Sequence, residues 1–501
     1  MPNSFSFVKI CVEKRVILKE VLKNNWQLLI LETLVIAAFV IFCGKFGDLM
    51  VDSYREIYIS QELLNGKCLY KDIFVIYPPL AYLINALFIK LFGNALNTLQ
   101  VLGLFSTMGI IFYTYQIAKI FLNKFYPSVI CCFLISGLVL SPNVFNAFLP
   151  YSYGILYGTF FILSAIFFAL KKKYPLSYLF YSLAILCKYE FFLLLPLLIF
   201  WSKKVDWKKN LITFFLPILL TLGILLIQGL RFIDIKATAE LVGIMSSSKT
   251  LYWFYSVMGL TFRFETLLIY IENIVKFLFP ISWINYQEIL VWAFPVITLG
   301  TFFKHKTLSN IERFFIVATI LISAKVFFAL TLQSYGVYFL PFALISLFIL
   351  IPNKFKKVFG ALLIIWSIII GFNNIQSLKN KKTDLDIVVQ YIKNNSQVED
   401  TVLNIPECLS INVLSNRKTD TKFYSLIPLY VETFGEELIV KRLTKIEPEF
   451  IVINNDDTSA YYFQNFGEDY GQNILKWIET NYKLETTLQD GWEFKVYKKN
   501  K

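Results

Sequence analysis

Apolar segments long enough, or nearly so, to cross about 30 Å of hydrocarbon recur along the first 375 residues, with short lysine-rich loops between them. They fall near 26–43, 97–118, 127–140, 152–170, 174–187, 189–201, 211–230, 286–303, 313–331, 335–351 and 358–375. So many such segments suit a helical bundle in lipid and no soluble core. The composition agrees: 56% of the 501 residues are hydrophobic, 17% are charged, and the mean hydropathy is +0.59. Soluble domains run near 45–50% apolar with about a quarter charged. Seven cysteines in 501 residues are too few for a disulfide scaffold, and they show no metal-binding CxxC spacing. The chain reads as a polytopic α-helical membrane protein.

Charge then divides the chain. From residue 376 onward, 16 Lys and Arg stand against 19 Asp and Glu, a net of −3; residues 1–375 carry 32 against 16, a net of +16. The basic residues of the first part cluster between apolar runs, as in Lys171-Lys172-Lys173, Lys203-Lys204, Lys208-Lys209 and Lys354/Lys356/Lys357. That is the positive-inside pattern of a membrane protein and not the basic face of a nucleic-acid-binding domain. Lys9, Lys14, Arg15, Lys19 and Lys23 place the N-terminal tail in the cytoplasm, in a stretch too polar for a plain cleaved signal peptide.

Eleven crossings put the loops at 119–125, 171–173, 203–209, 304–312 and 354–357 inside. The loops at 44–96, 141–151, 231–285 and 332–334 then lie outside, with the C-terminal domain. Segment 78–93 is apolar but only 16 residues, roughly 24 Å as a helix; if it spans, a second change is needed and the count becomes thirteen. The expected organisation is a transmembrane domain at 1–375 and an extracytoplasmic domain at 376–501. In the latter, helices near 384–395, 431–445 and 471–482 alternate with short strands at 401–405, 450–453 and 494–497, predicting a small α/β fold. No internal repeat of the kind that marks secondary transporters stands out.

The first outside loop runs from Gly47-Asp48-Leu49-Met50-Val51-Asp52-Ser53-Tyr54-Arg55-Glu56 to Tyr77-Pro78-Pro79-Leu80. Ser53 and Glu56 have capping-box spacing, so a helix is expected from about Tyr54 to Gly66. Tyr54, Ile57, Leu63 and Leu64 would form its apolar face, with Glu56 and Glu62 elsewhere, as in a helix lying on the membrane surface. On spacing alone Asp52 reads as a helix-end carboxylate, Asp48 as a solvated loop residue and Asp72 as part of a turn. Lys188-Tyr189-Glu190 interrupts an otherwise apolar stretch of about 25 residues, where a charge is costly and is either functional, paired or snorkelling at the interface. Lys325 raises the same alternatives. Tyr151, Tyr153, Gln333, Tyr335 and Tyr338 lie near helix ends on the outside, where aromatic belts also form.

The ordered set in the first loop resembles the GT-C membrane glycosyltransferases, in particular the protein O-mannosyltransferases and the aminoarabinose transferases of lipid A. It consists of an acid, an Arg three residues on, a helix ending in Gly, and a Pro-Pro-Leu entry to a segment ending Leu91-Phe92-Gly93. The likeness covers residues 26–93 well and the later helices in pattern only; Leu414-Ser415-Asn416-Arg417 also resembles a loop of such chains. It implies an inverting transfer of a sugar from a polyprenyl-phosphate donor to a lipid, glycan or protein acceptor at the outer face. Asp52 falls on the family's catalytic base and Arg55 on its Arg. Tyr77 stands where relatives carry a Lys before Pro-Pro. The loop 141–151 has Asn143 and Asn146 but no second acid.

Such a transfer needs a carboxylate to take the acceptor proton and cations to meet the departing phosphate. The candidates are Asp52 as base, with Asp48, Arg55, Tyr77, Lys188, Glu190 and Arg417 around the donor phosphate and sugar. The lone His305 falls in an inside loop, which excludes a histidine-rich zinc site. No cofactor is called for, although oxygen ligands would let Asp48 and Asp52 hold a divalent cation. Absence of a phosphate-binding glycine loop and of a dinucleotide fingerprint argues against a nucleotide-sugar donor. A lipid-linked glycan flippase would use the same architecture without a base, and a non-catalytic scaffold would bind no donor.

Overall fold

The structure is a computed structural model that describes residues 25–47, 52–142, 146–202, 207–247, 289–327, 338–381, 385–419, 422–458 and 463–500. Its first part is a helical bundle. The helices are α1 (Asn25–Phe42), α2 (Asp52–Leu64), α3 (Leu80–Phe92), α4 (Ala95–Phe121) and α5 (Phe125–Leu134), the last running on as a π-helical turn, Ile135–Val139. Then come α6 (Tyr153–Leu170), α7 (Tyr174–Cys187), a 3-10 segment (Tyr189–Leu194) leading into α8 (Leu195–Trp201), α9 (Trp207–Ile227) and α10 (Phe232–Ser247). The bundle closes with α11 (Ile289–Lys304), α12 (Asn310–Phe327), α13 (Leu340–Leu350) and α14 (Asn353–Asn380).

Among the described residues, five helices (α1, α4, α6, α9 and α14) are long and apolar enough to cross a membrane. In α1, Leu28, Leu31, Val35, Ala38 and Phe42 are buried, while Ile30, Leu34, Val40 and Ile41 are exposed. A helix apolar on its outer side as well as its inner side has lipid as its solvent. The chain is an integral membrane protein.

Polar contacts at the helix ends sort the loops onto two faces. Lys119 Nζ donates to Asn25 Oδ1 (3.2 Å) at the start of α1, whereas Cys43 Sγ donates to Gln100 Oε1 (3.5 Å) beyond its end. Helix α4 therefore runs antiparallel to α1, and the chain leaves α1 and enters α4 on one face. Helix α3 starts beside α2 and ends at Gly93, next to the α4 cap Asn94. Residues 78–93 stay on that face. The same face gathers the end of α14: Lys381 Nζ donates to the carbonyls of Gly47 and Pro142, and Lys45 Nζ to that of Lys379. On the opposite face Lys119 lies near Lys124 and Lys171, and Lys356 near Lys304. These lysines thus share a side.

Residues 385–500 form an α/β unit on the face that carries α2. Its elements are α15 (Asp386–Asn395), β1 (Val402–Ile405), α16 (Leu409–Ser415), α17 (Pro428–Phe434), α18 (Glu436–Ile446), β2 (Phe450–Asn454), α19 (Gln472–Asn481), β3 (Tyr482–Asp490) and β4 (Trp492–Lys499). The sheet order is β1-β2-β4-β3, with β1 and β2 parallel (Val402 opposite Phe450) and the rest antiparallel. Alternate residues of β2 feed two layers: Phe450 and Val452 pack with Val388 and Ile392 of α15, and Ile451 and Ile453 with Ile439, Ile474 and Ile478. Strand β3 is absent from the sequence expectation because its run from Lys483 to Gln489 is mostly polar, with only Leu484 and Leu488 apolar. Phe74 of the first loop, 1% exposed, inserts into the second layer against Tyr430 and Phe434.

Helix α2 departs from the expected amphipathic surface helix. It begins at Asp52, earlier than the capping box implies, and Glu56 and Glu62 are buried (1% and 3% exposed) while Leu64 is exposed. The reason is that α2 has no solvent face: α3 covers one side and α16 the other, with Leu409 and Tyr424 packed on Tyr58, Ile59 and Leu63. Gly66 follows its end as expected, at φ +89°.

Candidate functional site

The stretch between α2 and α3 is shaped by its own polar groups. Asp72 Oδ2 accepts from the Cys68 amide (2.9 Å), which makes 68–73 the expected turn. The Tyr70 hydroxyl donates to the Tyr77 carbonyl (2.9 Å) and so fixes the residue before Pro78-Pro79. On the opposite side of the site, α7 stops at Cys187 and Lys188 takes an extended conformation before the 3-10 segment. This turn comes close to α6 because Gly154 and Gly158 have no side chain. A Cβ on Gly154 would meet the Cys187 carbonyl at 2.8 Å, and one on Gly158 would meet the Phe191 ring at 2.7 Å.

These elements bring their side chains into one ring of contacts. Lys188 Nζ lies 3.3 Å from Glu190 Oε1 and 4.9 Å from the centre of the Tyr77 ring. The Tyr77 and Tyr151 hydroxyls are hydrogen-bonded at 3.1 Å, and the Arg55 guanidinium sits 5.2 Å from the centre of the Tyr151 ring. Arg55 Nη1 reaches Glu407 Oε1 of the α/β unit at 3.4 Å. Lys188 is only 5% exposed, so its charge acts in a medium that screens poorly. Tyr424 and Tyr430 stand close by, and burial raises both phenols further above neutrality, which keeps them as hydroxyl donors.

Glu56 lies beneath the ring. Asn85 Nδ2 donates to its Oε2 (3.5 Å), and the Tyr157 hydroxyl donates to Asn85 Oδ1 (2.7 Å). Burial pushes the Glu56 carboxyl up to about 7, against the pull of Arg55, the Tyr153 amide, the Ser152 hydroxyl and Lys188.

Of the residues singled out in the sequence, Arg55, Tyr77, Lys188 and Glu190 meet here, with Tyr151. Asp52 opens α2, one turn before Arg55; its carboxylate and the whole of Asp48 lie outside the described residues, as do Asn143, Gln333, Tyr335 and the Lys325 side chain. Arg417 is held within the α/β unit. Its Nε and Nη2 donate to the Ser396 hydroxyl and carbonyl (2.8 Å each), and its Nη1 to the Ser415 carbonyl (2.7 Å). These bonds tie α15 to α16 inside the α/β unit, and the guanidinium is spent there. Tyr153 and Tyr338 are likewise structural, donating to the carbonyls of Phe148 and Asn146. Among the described residues no group of three or more His, Cys, Asp or Glu could hold a metal ion.

Glu56 and Glu407 are the members that sequence reasoning missed. Glu407 follows the end of a strand in an α/β pattern, the place where such folds put ligand-facing groups, and that signal could have found it. An open apolar groove of about 570 Å³ runs along the second half of the 3-10 segment and α8, lined by Phe192, Leu193, Leu195, Pro196, Ile199 and Phe200.

No protein-family model matches the sequence, and no curated protein matches it. Solved structures do match the fold. ArnT from Cupriavidus metallidurans, bound to undecaprenyl phosphate, is similar with a TM-score of 0.53 at 10% identity, over 94% of this chain and 98% of that one. The Archaeoglobus fulgidus oligosaccharyltransferase in complex with Zn and sulfate is similar at TM-score 0.51 and 11% identity, over 87% of this chain and 69% of that one. The same enzyme tethered to an acceptor peptide containing the NVT sequon gives 0.51 at 10% identity, over 96% and 74%. The helical bundle with its α/β unit therefore shares the fold of ArnT and of this oligosaccharyltransferase.

Proposed function

We propose that the chain is an inverting glycosyltransferase that moves a sugar from a polyprenyl-phosphate donor to a lipid, glycan or protein acceptor at the outer face of the membrane. The observation that carries this reading is the ring in which Arg55 and Lys188 converge, through Tyr151 and Tyr77, on the face where Asp52 opens α2. The undecaprenyl phosphate held by the ArnT structure supports the class of donor.

In this mechanism Asp52 takes the proton of an acceptor hydroxyl as its oxygen attacks the anomeric carbon from the face opposite the phosphate. The new C–O bond forms while the bond to the phosphate oxygen breaks, so the configuration inverts and prenyl phosphate leaves. Positive charge builds on the sugar ring and negative charge on the phosphate. Arg55 and Lys188 meet that negative charge, Arg as a fork and Lys as a point charge. Glu190 holds Lys188, and Tyr77, where relatives carry a lysine, supports Lys188 through its ring. The groove along Phe192 and Phe200 suits the prenyl chain.

The lysine-rich loops belong in the cytoplasm, which sets the N-terminus inside and the α/β unit outside, with eleven crossings and a boundary at residue 375. The test uses the purified full chain with a panel of polyprenyl-phosphate sugars and follows release of lipid phosphate. Asp52→Asn is expected to abolish turnover while donor binding persists. Unchanged lipid handling in that variant, with no lipid phosphate released by the parent chain, would favour a flippase instead.

A further inference from the structure

We infer that Glu407 is a positioning residue of this site: from the end of β1 it clamps the Arg55 guanidinium against the Tyr151 ring and so aims its charge at the donor phosphate. The inference rests on the transferase reading above. Glu407 itself is held on three sides. Its Oε2 accepts from the Ser425 hydroxyl (2.7 Å), its backbone carbonyl from Asn454 Nδ2 at the end of β2 (3.3 Å), and its Oε1 faces Arg55 Nη1 (3.4 Å). With 3% of its surface exposed, an unmatched carboxylate here would be strongly destabilising, and the fold supplies the matching cation from the other half of the molecule.

A simple tether would not need this pair. The two halves are already joined by Phe74, seated between Tyr430 and Phe434, and by Leu409 and Tyr424 against α2. Apolar contacts of that kind hold surfaces together as well as a buried ion pair does. What the pair adds is direction. A guanidinium with one edge on a fixed carboxylate and its face on a ring has lost its rotational freedom before any phosphate arrives, and pre-set charge stabilises a leaving phosphate better than mobile charge. The α/β unit thereby becomes part of the site.

The experiment titrates the full chain, in detergent micelles, with undecaprenyl phosphate, reading the shift in unfolding temperature, and measures lipid-phosphate release alongside. Glu407→Ala is expected to weaken binding about tenfold or more and to lower kcat, and Glu407→Gln, which keeps an acceptor oxygen of the same reach, to recover most of the binding. In an Arg55→Ala background Glu407→Ala should have no further effect on binding, because it acts through Arg55. A tether alone would lower the unfolding temperature and leave binding and the double variant additive. Wild-type affinity in Glu407→Ala overturns the inference while leaving the transferase reading intact; no shift in the unsubstituted chain overturns both.

Discussion

Folding changes the acid–base chemistry of Glu56. The unfolded carboxyl titrates near 4.5 and the folded one near 7, because burial outweighs Arg55, the Tyr153 amide, the Ser152 hydroxyl and Lys188. Between those values the folded chain keeps a proton that the unfolded chain releases, so stability falls as pH rises through that window, by about 3 kcal/mol in total. Glu56→Gln should flatten the fall, and unfolding temperatures at pH 5, 6 and 8 would show it; parallel curves for the two proteins would refute it. Lys188 and Glu190 make an asymmetric pair. Lys188→Ala removes a cation from the departing phosphate and should lower lipid-phosphate release about 100-fold, whereas Glu190→Gln leaves the cation in place and should lower it about tenfold or less. Equal losses from the two changes would contradict the assigned roles. These residues were legible because a charge inside an apolar run has few bland explanations. Glu56 and Glu407 were not, since a lone acid on an amphipathic helix or just past a short strand looks solvated until tertiary packing covers it. Arg417 drew attention by its loop pattern, and only the packing of α15 on α16 shows which groups it bonds.

At the scale of elements, the site depends on how closely α6 approaches the Lys188 turn. Gly154 and Gly158, four residues apart, are the small-residue spacing that lets helices meet in a membrane. Added atoms at Gly158 would meet both the Phe191 ring and Lys188 Cβ, the latter at 3.3 Å. Gly158→Val should therefore destabilise the chain by about 1–3 kcal/mol and also displace Lys188, lowering lipid-phosphate release even at temperatures where the variant is fully folded. Gly223, with open space around it on α9, provides the control: Gly223→Ala should leave activity unchanged. A Gly158→Val enzyme as active as the parent would show that the turn is not seated by this contact. Most of the bundle helices could be read from hydropathy because their central turns are apolar; α10, whose run carries Asp234, Lys236 and Glu240, could not. Helix α2 could not be placed that way, because Glu56 and Glu62 suggested water where the protein supplies α3 and α16. Strand β3 escaped for a different reason: it is a polar edge strand, although the turn that follows, Asp490-Gly491, is a hairpin signal of the usual kind.

The whole molecule is organised by charge as much as by hydropathy. The lysine loops gather on one face and the α/β unit, with its slight acidic excess, on the other, and the site lies at the boundary between bundle and α/β unit. If the positive-inside bias sets the orientation, the two faces meet different aqueous compartments, and a donor carried by a long prenyl chain would reach the site from the leaflet beside α8. Single cysteines at exposed positions read this directly. Lys171 and Asn394 are both exposed, and Cys43, also exposed, would first be replaced by serine. An impermeant maleimide added to intact cells should label Asn394→Cys at once, and Lys171→Cys only after the membrane is opened. The reverse result would place the ring of Arg55, Tyr77 and Lys188 on the cytoplasmic side. There nucleotide sugars are available, a lipid-borne donor loses its rationale, and the transfer proposed for Asp52 would have to be abandoned together with the topology.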